Sequence, residues 1–402
     1  MTVKCGIYNM AWNNWDDTIN IGMEAEKAGH RVQFFTDQLV AYLFGDDAEK
    51  LFGKEDLGAG PLQHNGKYIP NFAVMGMPRE GMGMGLIDPT IAMPVIADKT
   101  QKMELFLGAI DAVRHGPTKL AQTFMTLDHA CKGRAFFALG GSEMKQISPY
   151  GYSRIGSAKK LEEALIIMRM MFDHPHDRLH FKGEHWSITG GSLPLVPYDG
   201  KTPPRLIVAP GMPWETVGKY ADGMLTNTKR HPGRAAGFKR DMEAMRAAAK
   251  AAGRDPSKLT ATACPQVLMH DDPNELRRLA SSRKLKFQTM LTGKEKGEQW
   301  KEYGFTHPLG DEFGYARKLK PEAIDIEMLR PAIDKVPPEA VMEIGFHCGT
   351  VDQVAAQLKP YIDAGLEYLG IVDYATFADN SPQMQKHAAE NMAKLVAKLQ
   401  SY

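Results

Sequence analysis

Short runs of apolar residues alternate with longer stretches of helical spacing along most of the chain. Lys4 to Met10 (KCGIYNM) reads as a strand, and Asp16 to His30 as a helix with Ile21, Ala25 and Ala28 on one face and Gly29 at its end. Arg31 to Thr36 (RVQFFT) reads as the next strand, which opens a βαβ unit with a parallel sheet. Residues 39 to 100 break the rhythm: Gly53 to Leu86 is rich in Gly, Met and Pro and holds no period, so it reads as an apolar lid or binding loop rather than a disordered tail. The rhythm resumes with strands at Glu104 to Ile110 and Arg134 to Leu139, each followed by a helix (Pro117 to Lys132, Ser157 to Phe172). An irregular hairpin over Asp177 to Pro197 comes next. Strands at Arg205 to Val208, Gly223 to Thr226 and within Leu259 to Met269 alternate with helices at Pro213 to Ala221 and Pro232 to Ala252. A second excursion runs from about Lys284 to Val341, before a helix at Thr350 to Ala364, a last strand (YLGIV, Tyr368 to Val372) and a closing helix from Ser381 to Leu399.

The pattern contains eight strands, near residues 4, 31, 104, 134, 205, 223, 260 and 368. Eight strands with intervening helices favour a closed (β/α)8 barrel, a TIM barrel, over an open sheet. The expected organisation is one domain over residues 1–402, with insertions at about 39–100 and 284–341. The totals change this picture little. Of the 402 residues, 43% are hydrophobic and 24% charged, as in an ordinary globular chain, and the net charge of +1 gives no electrostatic case for nucleic acid or an anionic membrane. No uncharged apolar run is long enough for a membrane helix, the N-terminus reads as a strand rather than a signal peptide, and the four cysteines are widely spaced. A reducing cytoplasm fits these features.

In such a barrel the site lies at the C-terminal ends of the strands. That rule selects Tyr8, Asn9 and Met10; Asp37 and Gln38; Asp111, Arg114 and His115; Gly140, Gly141, Ser142 and Glu143; Ala209, Pro210, Gly211 and Met212; Thr226, Asn227 and Thr228; and Asp373. Glu143, after a glycine pair, is placed either to orient a polar ring edge and exchange a proton or simply to favour the start of a helix. Asp37 is either an acceptor for a bound hydroxyl or a turn-forming residue. Ala209 to Met212 (APGM) feeds a helix start, as an anion site would and as a plain turn also would. No nucleotide-binding glycine fingerprint and no G-x-S-x-G elbow occurs. His174, His176, His180 and His185 are close in sequence, but they fall away from the strand ends with no helix to align them, so no metal site is expected. His129 reads as structural.

Four stretches resemble the luciferase-like family of flavin- and F420-dependent oxidoreductases. They are FFTDQ (34–38), the region from ELFLGAI through HGPTKLAQTFMTLDHACKGRAFFALGGSE (104–143), LIVAPGMP through KYADGMLTN (206–227), and GTVDQVAAQLKPYIDAGLEYLGI (349–371). Within the family, WKEYGFTHPLGDEF (300–313) and KVPPEAVMEIGFHCGT (335–350) are similar to F420-dependent reductases of the phthiodiolone ketoreductase type. The resemblance implies a deazaflavin ring stacked at the end of the third strand, over Gly108, Ala109, Ile110 and Asp111, with a non-proline cis peptide near Ile110–Asp111. It implies that Asp37, Gly141, Ser142 and Glu143 contact the cofactor, and that Ala209, Pro210, Gly211, Met212 and Thr226 hold its phosphate. The chain departs from the family at Gln38, where family members carry a catalytic histidine. Glutamine cannot act as an acid or base near neutral pH, so His115, Tyr8, Glu143 or water would have to serve.

Three functions follow from this reading. The first is an F420-dependent reductase or dehydrogenase that moves a hydride to or from a carbonyl or alcohol carbon of a hydrophobic small molecule. The second is an FMN-dependent monooxygenase on the same fold. The third is a flavin-binding protein without catalysis, against which the presence of Asp37 and Glu143 argues. A homodimer is expected by analogy.

Overall fold

The structure is a computed structural model that describes residues 3–9, 15–40, 43, 47–52, 63–64, 67–68, 85–209 and 211–402. Eight parallel strands form the ring: β1 (Lys4–Tyr8), β2 (Val32–Phe35), β3 (Glu104–Asp111), β4 (Ala135–Gly140), β5 (Leu206–Val208), β6 (Gly223–Thr226), β7 (Thr260–Ala263, resuming as Gln266–Met269) and β8 (Tyr368–Asp373). Each pairs with the next, and β8 pairs back onto β1 through Lys4↔Tyr368 to Ile7↔Ile371, so the barrel is closed. Pro265 interrupts β7, as expected of a residue with no amide N–H to give a ladder. Beyond it, a further strand, His347–Gly349, pairs alongside.

Both faces of these strands are buried, which is why they read as apolar runs rather than as alternating ones. Val32, Phe34, Phe106, Phe136, Ile207 and Tyr368 fill the barrel interior. Their neighbours Phe35, Leu105, Leu107, Phe137 and Leu139 face outward into the core shared with the helices. At the lower end of the ring Glu104 binds Lys4 at 2.5 Å and Arg205 at 2.7 Å, and the Arg205 guanidinium lies over the Phe136 ring. Gly6 lets β1 approach β2, because a Cβ there would sit 1.6 Å from the Val32 carbonyl oxygen.

The outer helices are α1 (Trp15–Lys27), α2 (Pro89–Lys99), α3 (Pro117–Ala130), α4 (Ser157–Asp173), α5 (Trp214–Tyr220), α6 (Arg234–Ala251), α7 (Arg283–Thr292), α8 (Val351–Asp363) and α9 (Pro382–Leu399). Their starts follow local chemistry. Thr350 and Gln353 form a reciprocal cap on α8, and the Ser381 hydroxyl accepts the Met384 amide on α9. Between α4 and β5, Leu179–Lys182 and Ser187–Gly191 form the expected hairpin. None of the described helices is long and apolar enough to cross a membrane.

Two features differ from the sequence expectation or go beyond it. Helix α2 falls inside the stretch 39–100 taken for an excursion: its sequence PTIAMPVIADK is apolar on most sides and contains Pro94, so it shows no amphipathic stripe. The second excursion, whose internal structure the sequence left open, contains helices. Helix α7, a 3-10 segment at Gly297–Tyr303 and a helix at Ile326–Asp334 surround a second apolar cluster with Trp300 and Phe287, and this cluster reaches Leu268, Val372 and Tyr374 at the ends of β7 and β8. Met10, Pro210 and nearly all of the Met-rich stretch, with Phe72, Met75, Met77 and Met84, lie outside the described residues.

Candidate active site

A cavity of about 770 Å³ opens at the C-terminal ends of the strands. It lies within the range typical of small-molecule and cofactor sites. Tyr8, Asp37, Gln38, Gly108 to Asp111, Gly140 to Glu143, Ala209, Gly211, Met212, Thr226 and Asn227 all line it. Most of the strand-end residues chosen from sequence therefore converge on one space, while Asn9, Arg114 and Thr228 do not line it. His115 does not line the cavity; it stands behind Asp37, with Nε2 3.1 Å from Oδ2.

Four charged or polar groups brace the ends of β2, β3 and β4. The Arg114 side chain, 7% exposed, bonds Asp37 Oδ2 at 2.6 Å and Asp111 Oδ2 at 3.1 Å. The Asp111 carboxylate also accepts the Val113 amide and the Ser142 hydroxyl, the latter at 2.6 Å. Ser142 holds a left-handed backbone (φ 71°) that costs a non-glycine residue about 1–2 kcal/mol, and its bond to Asp111 fixes it there. Burial pushes the Asp37 carboxyl up, but the His115 hydrogen bond and the Arg114 charge outweigh it, so Asp37 titrates below its ordinary value and stays a carboxylate.

The cis peptide is Gly108–Ala109, not the bond near Ile110–Asp111 expected from the resemblance. Pairing with β4 slips between Gly108 and Ile110, so counting along an ideal strand misplaces the irregularity. The Tyr8 hydroxyl lies 3.4 Å from the Gly108 carbonyl oxygen, at the cavity floor.

Sequence reasoning missed several residues of the wall and one directly behind it. Lys145, 1% exposed, lies in the helical turn Met144–Ile147, with Nζ 2.9 Å from Gln38 Oε1 and 3.3 Å from Glu143 Oε2. A lysine one turn after a strand end ordinarily reads as solvated, and nothing in its spacing marks it as buried. Arg154, Lys159 and Arg230 line the cavity, and Tyr315 and Arg317 reach it from the second insertion. Cys264 forms part of the apolar wall, and burial pushes its thiol up to about 12, so it stays protonated. No histidine lines the cavity among the described residues, so a Ser–His or Cys–His nucleophile pair has no base there. Asp373 ends β8 fully buried and does not line the cavity, although Val372 and Tyr374 on either side of it do.

The cavity has the features that a planar redox group with a phosphate requires. The floor at Gly108 and Ala109 is backbone and methyl, Leu225, Cys264 and Val372 form an apolar wall, and Asp37, Ser142 and Glu143 are all drawn from the ends of β2 and β4. Gly211, at φ 106° with nothing within 4 Å of a Cβ position, leaves its backbone open before α5, and Arg154 and Lys159 bring positive charge to the cavity. The residues present fit such a group. Among the described residues, no three of His, Cys, Asp or Glu gather as a metal would require. The ring of His129 bonds the Val196 carbonyl at the surface.

Comparison with known proteins agrees with this geometry. The family model of luciferase-like monooxygenases matches residues 70–368. A phthiodiolone/phenolphthiodiolone dimycocerosates ketoreductase of Mycobacterium kansasii is 26% identical over 295 residues, 73% of this chain and 78% of that protein. The limonene 1,2-monooxygenase of Rhodococcus erythropolis is 26% identical over 36% of this chain and 37% of its own length. Among solved structures, an F420-dependent secondary alcohol dehydrogenase superposes with a TM-score of 0.65 at 16% identity, covering 99% of both chains. A long-chain alkane monooxygenase superposes with a TM-score of 0.62 at 16% identity, covering 100% of this chain and 92% of that one. With three quarters of its length matched and the barrel closed as in these structures, the chain is an enzyme of the luciferase-like monooxygenase family.

Proposed function

We propose that the protein is an F420-dependent oxidoreductase that reduces a carbonyl group of a hydrophobic small molecule, or oxidises the corresponding alcohol. The observation that carries this reading is the one cavity at the strand ends, apolar on its Leu225, Cys264 and Val372 side and polar at Asp37, Gln38 and Glu143. The ketoreductase relatives support the reductive direction, because they match twice the share of this chain that the limonene monooxygenase does.

In this proposal Gly108 to Asp111 back one face of the ring, and Asp37, Gly141, Ser142 and Glu143 meet its polar edge. Ala209, Gly211, Met212 and Thr226 hold the phosphate, helped by Arg154 and Lys159. When bound, the deazaflavin supplies a hydride to the carbonyl carbon, and the oxygen takes a proton to give the alcohol. The chain's part is to orient the carbonyl, exclude water with its apolar wall and hold a proton at Glu143 or release one through it. His115 contributes through Asp37, which it bonds at 3.1 Å. One domain with two insertions, assembled as a cytoplasmic homodimer, completes the proposal.

The experiment is reconstitution of the purified protein with F420 and with FMN, followed by spectra and turnover on a panel of alkyl ketones. F420 binding with ketone-dependent oxidation of the reduced cofactor is the expected result. Tight FMN binding with oxygen-dependent turnover would establish the alternative, an FMN-dependent monooxygenase, which the limonene and alkane monooxygenase likenesses favour.

A further inference from the structure

Lys145 holds together three side chains that line the cavity. Its ammonium bonds Gln38 Oε1 at 2.9 Å, lies 3.3 Å from Glu143 Oε2, and sits 5.2 Å from the centre of the Tyr315 ring. These groups come from the end of β2, the end of β4 and the second insertion. Lys145 itself is 1% exposed and does not line the cavity, so it reaches a ligand only through them.

An ammonium group has three donors and no acceptor. It can face only the oxygen end of a carboxamide, so the Gln38 amide is assigned by chemistry rather than by the resemblance of its two ends. With Oε1 taken, the –NH2 end is the one left to the cavity that Gln38 lines, and it meets no acceptor among the described residues. Without the lysine the carboxamide could turn and offer its oxygen, which repels a carbonyl oxygen instead of binding it.

We infer that Lys145 is a positioning residue that locks the Gln38 carboxamide with its N–H groups toward the cavity, where they donate to the oxygen of a substrate carbonyl. The inference deepens the carbonyl-reduction reading and rests on it. Charge builds on that oxygen as the carbon receives hydride, and a fixed donor counts most where charge develops. A donor at Gln38 supplies no proton, so protonation is left to Glu143 or water.

The test uses the full-length protein, 2-undecanone as the ketone, and three variants: Gln38→Leu, Gln38→Glu and Lys145→Met. Gln38→Glu keeps an oxygen for Lys145 and removes the donor, so it remains informative if Lys145→Met fails to fold. The first readout is the infrared carbonyl stretch of bound ketone, with no turnover required. The band should be lowered by hydrogen bonding in the parent and return toward its unbonded position in all three variants. The second readout is steady-state reduction with F420. The variants should lose about 100-fold in kcat, the usual cost of one such donor, with little change in KM or in F420 affinity. An unshifted band in the parent, or a band and kcat unchanged in folded Lys145→Met and Gln38→Glu, would overturn the inference and leave Lys145 as packing alone. A parent protein that shows the shifted band but no F420-dependent reduction would instead refute the reductase reading.

Discussion

Asp373 provides a quantitative check on how the end of β8 is built. Its Oδ1 accepts the Ala375 amide at 2.9 Å, while Oδ2 is buried without a partner. Burial raises the carboxyl from 3.8 to about 7, against a smaller opposing effect of the Ala375 bond. The folded state therefore binds a proton that the unfolded chain releases. That proton's contribution to stability is complete below pH 3.8, falls as pH rises toward 7, and is gone above it. A shift of about three units at about 1.4 kcal/mol per unit makes the full contribution about 4 kcal/mol. Asp373→Asn keeps the acceptor for Ala375 and stays neutral at every pH. Relative to the parent, the variant should gain stability steadily between about pH 4 and 7, by up to about 4 kcal/mol, and hold that gain at higher pH. Urea unfolding of both proteins at half-unit steps from pH 4.5 to 8.5, analysed for the difference in midpoint, reads this directly. A difference that does not change with pH, or that shrinks as pH rises, would refute the assignment of a neutral buried acid.

Other sites give independent checks. Arg114→Met strands two carboxylates, Asp37 and Asp111, and should cost about 3–5 kcal/mol in urea unfolding. Because the Asp37 carboxyl is depressed in the fold, its stabilisation is present above pH 4 or so and is lost as pH falls through its folded value; in Arg114→Met the acid-unfolding midpoint should move to higher pH. Gly108→Ala places a Cβ 2.3 Å from the Phe106 ring, and overpacking of this kind should cost about 1–3 kcal/mol, seen as a lower Tm. Glu143→Gln should leave F420 binding intact and slow turnover by about 100-fold or more; an unchanged rate would remove Glu143 from the proton path.

The strands were legible because burial on two faces leaves little choice but Val, Ile, Leu and Phe, as in RVQFFT and RAFFAL. The strand-end rule then found Asp37, Gln38, Asp111, Ser142 and Glu143 without knowledge of the pairing, since closure of the ring brings all strand ends to one mouth. What escaped was what depends on contacts distant in sequence. Lys145 is buried against contacts that include the side-chain oxygen of Gln38, 107 residues away, and the ring of Tyr315. Tyr315 reaches the cavity because the second insertion folds around Trp300 and is seated against Tyr374, and no local period encodes that seating. Helix α2 escaped for the opposite reason: too few polar positions remained to mark a face.

The sealed base of the barrel constrains traffic through the molecule. Phe34, Phe106, Phe136 and Tyr368 stop the axis, and Lys4, Glu104 and Arg205 bar it below, so nothing can arrive or depart from that side. Two molecules that share the cavity must then queue at the same doorway. If the proposed ring lies deeper, against Ala109, it enters first and leaves last, and the cycle then has a compulsory order.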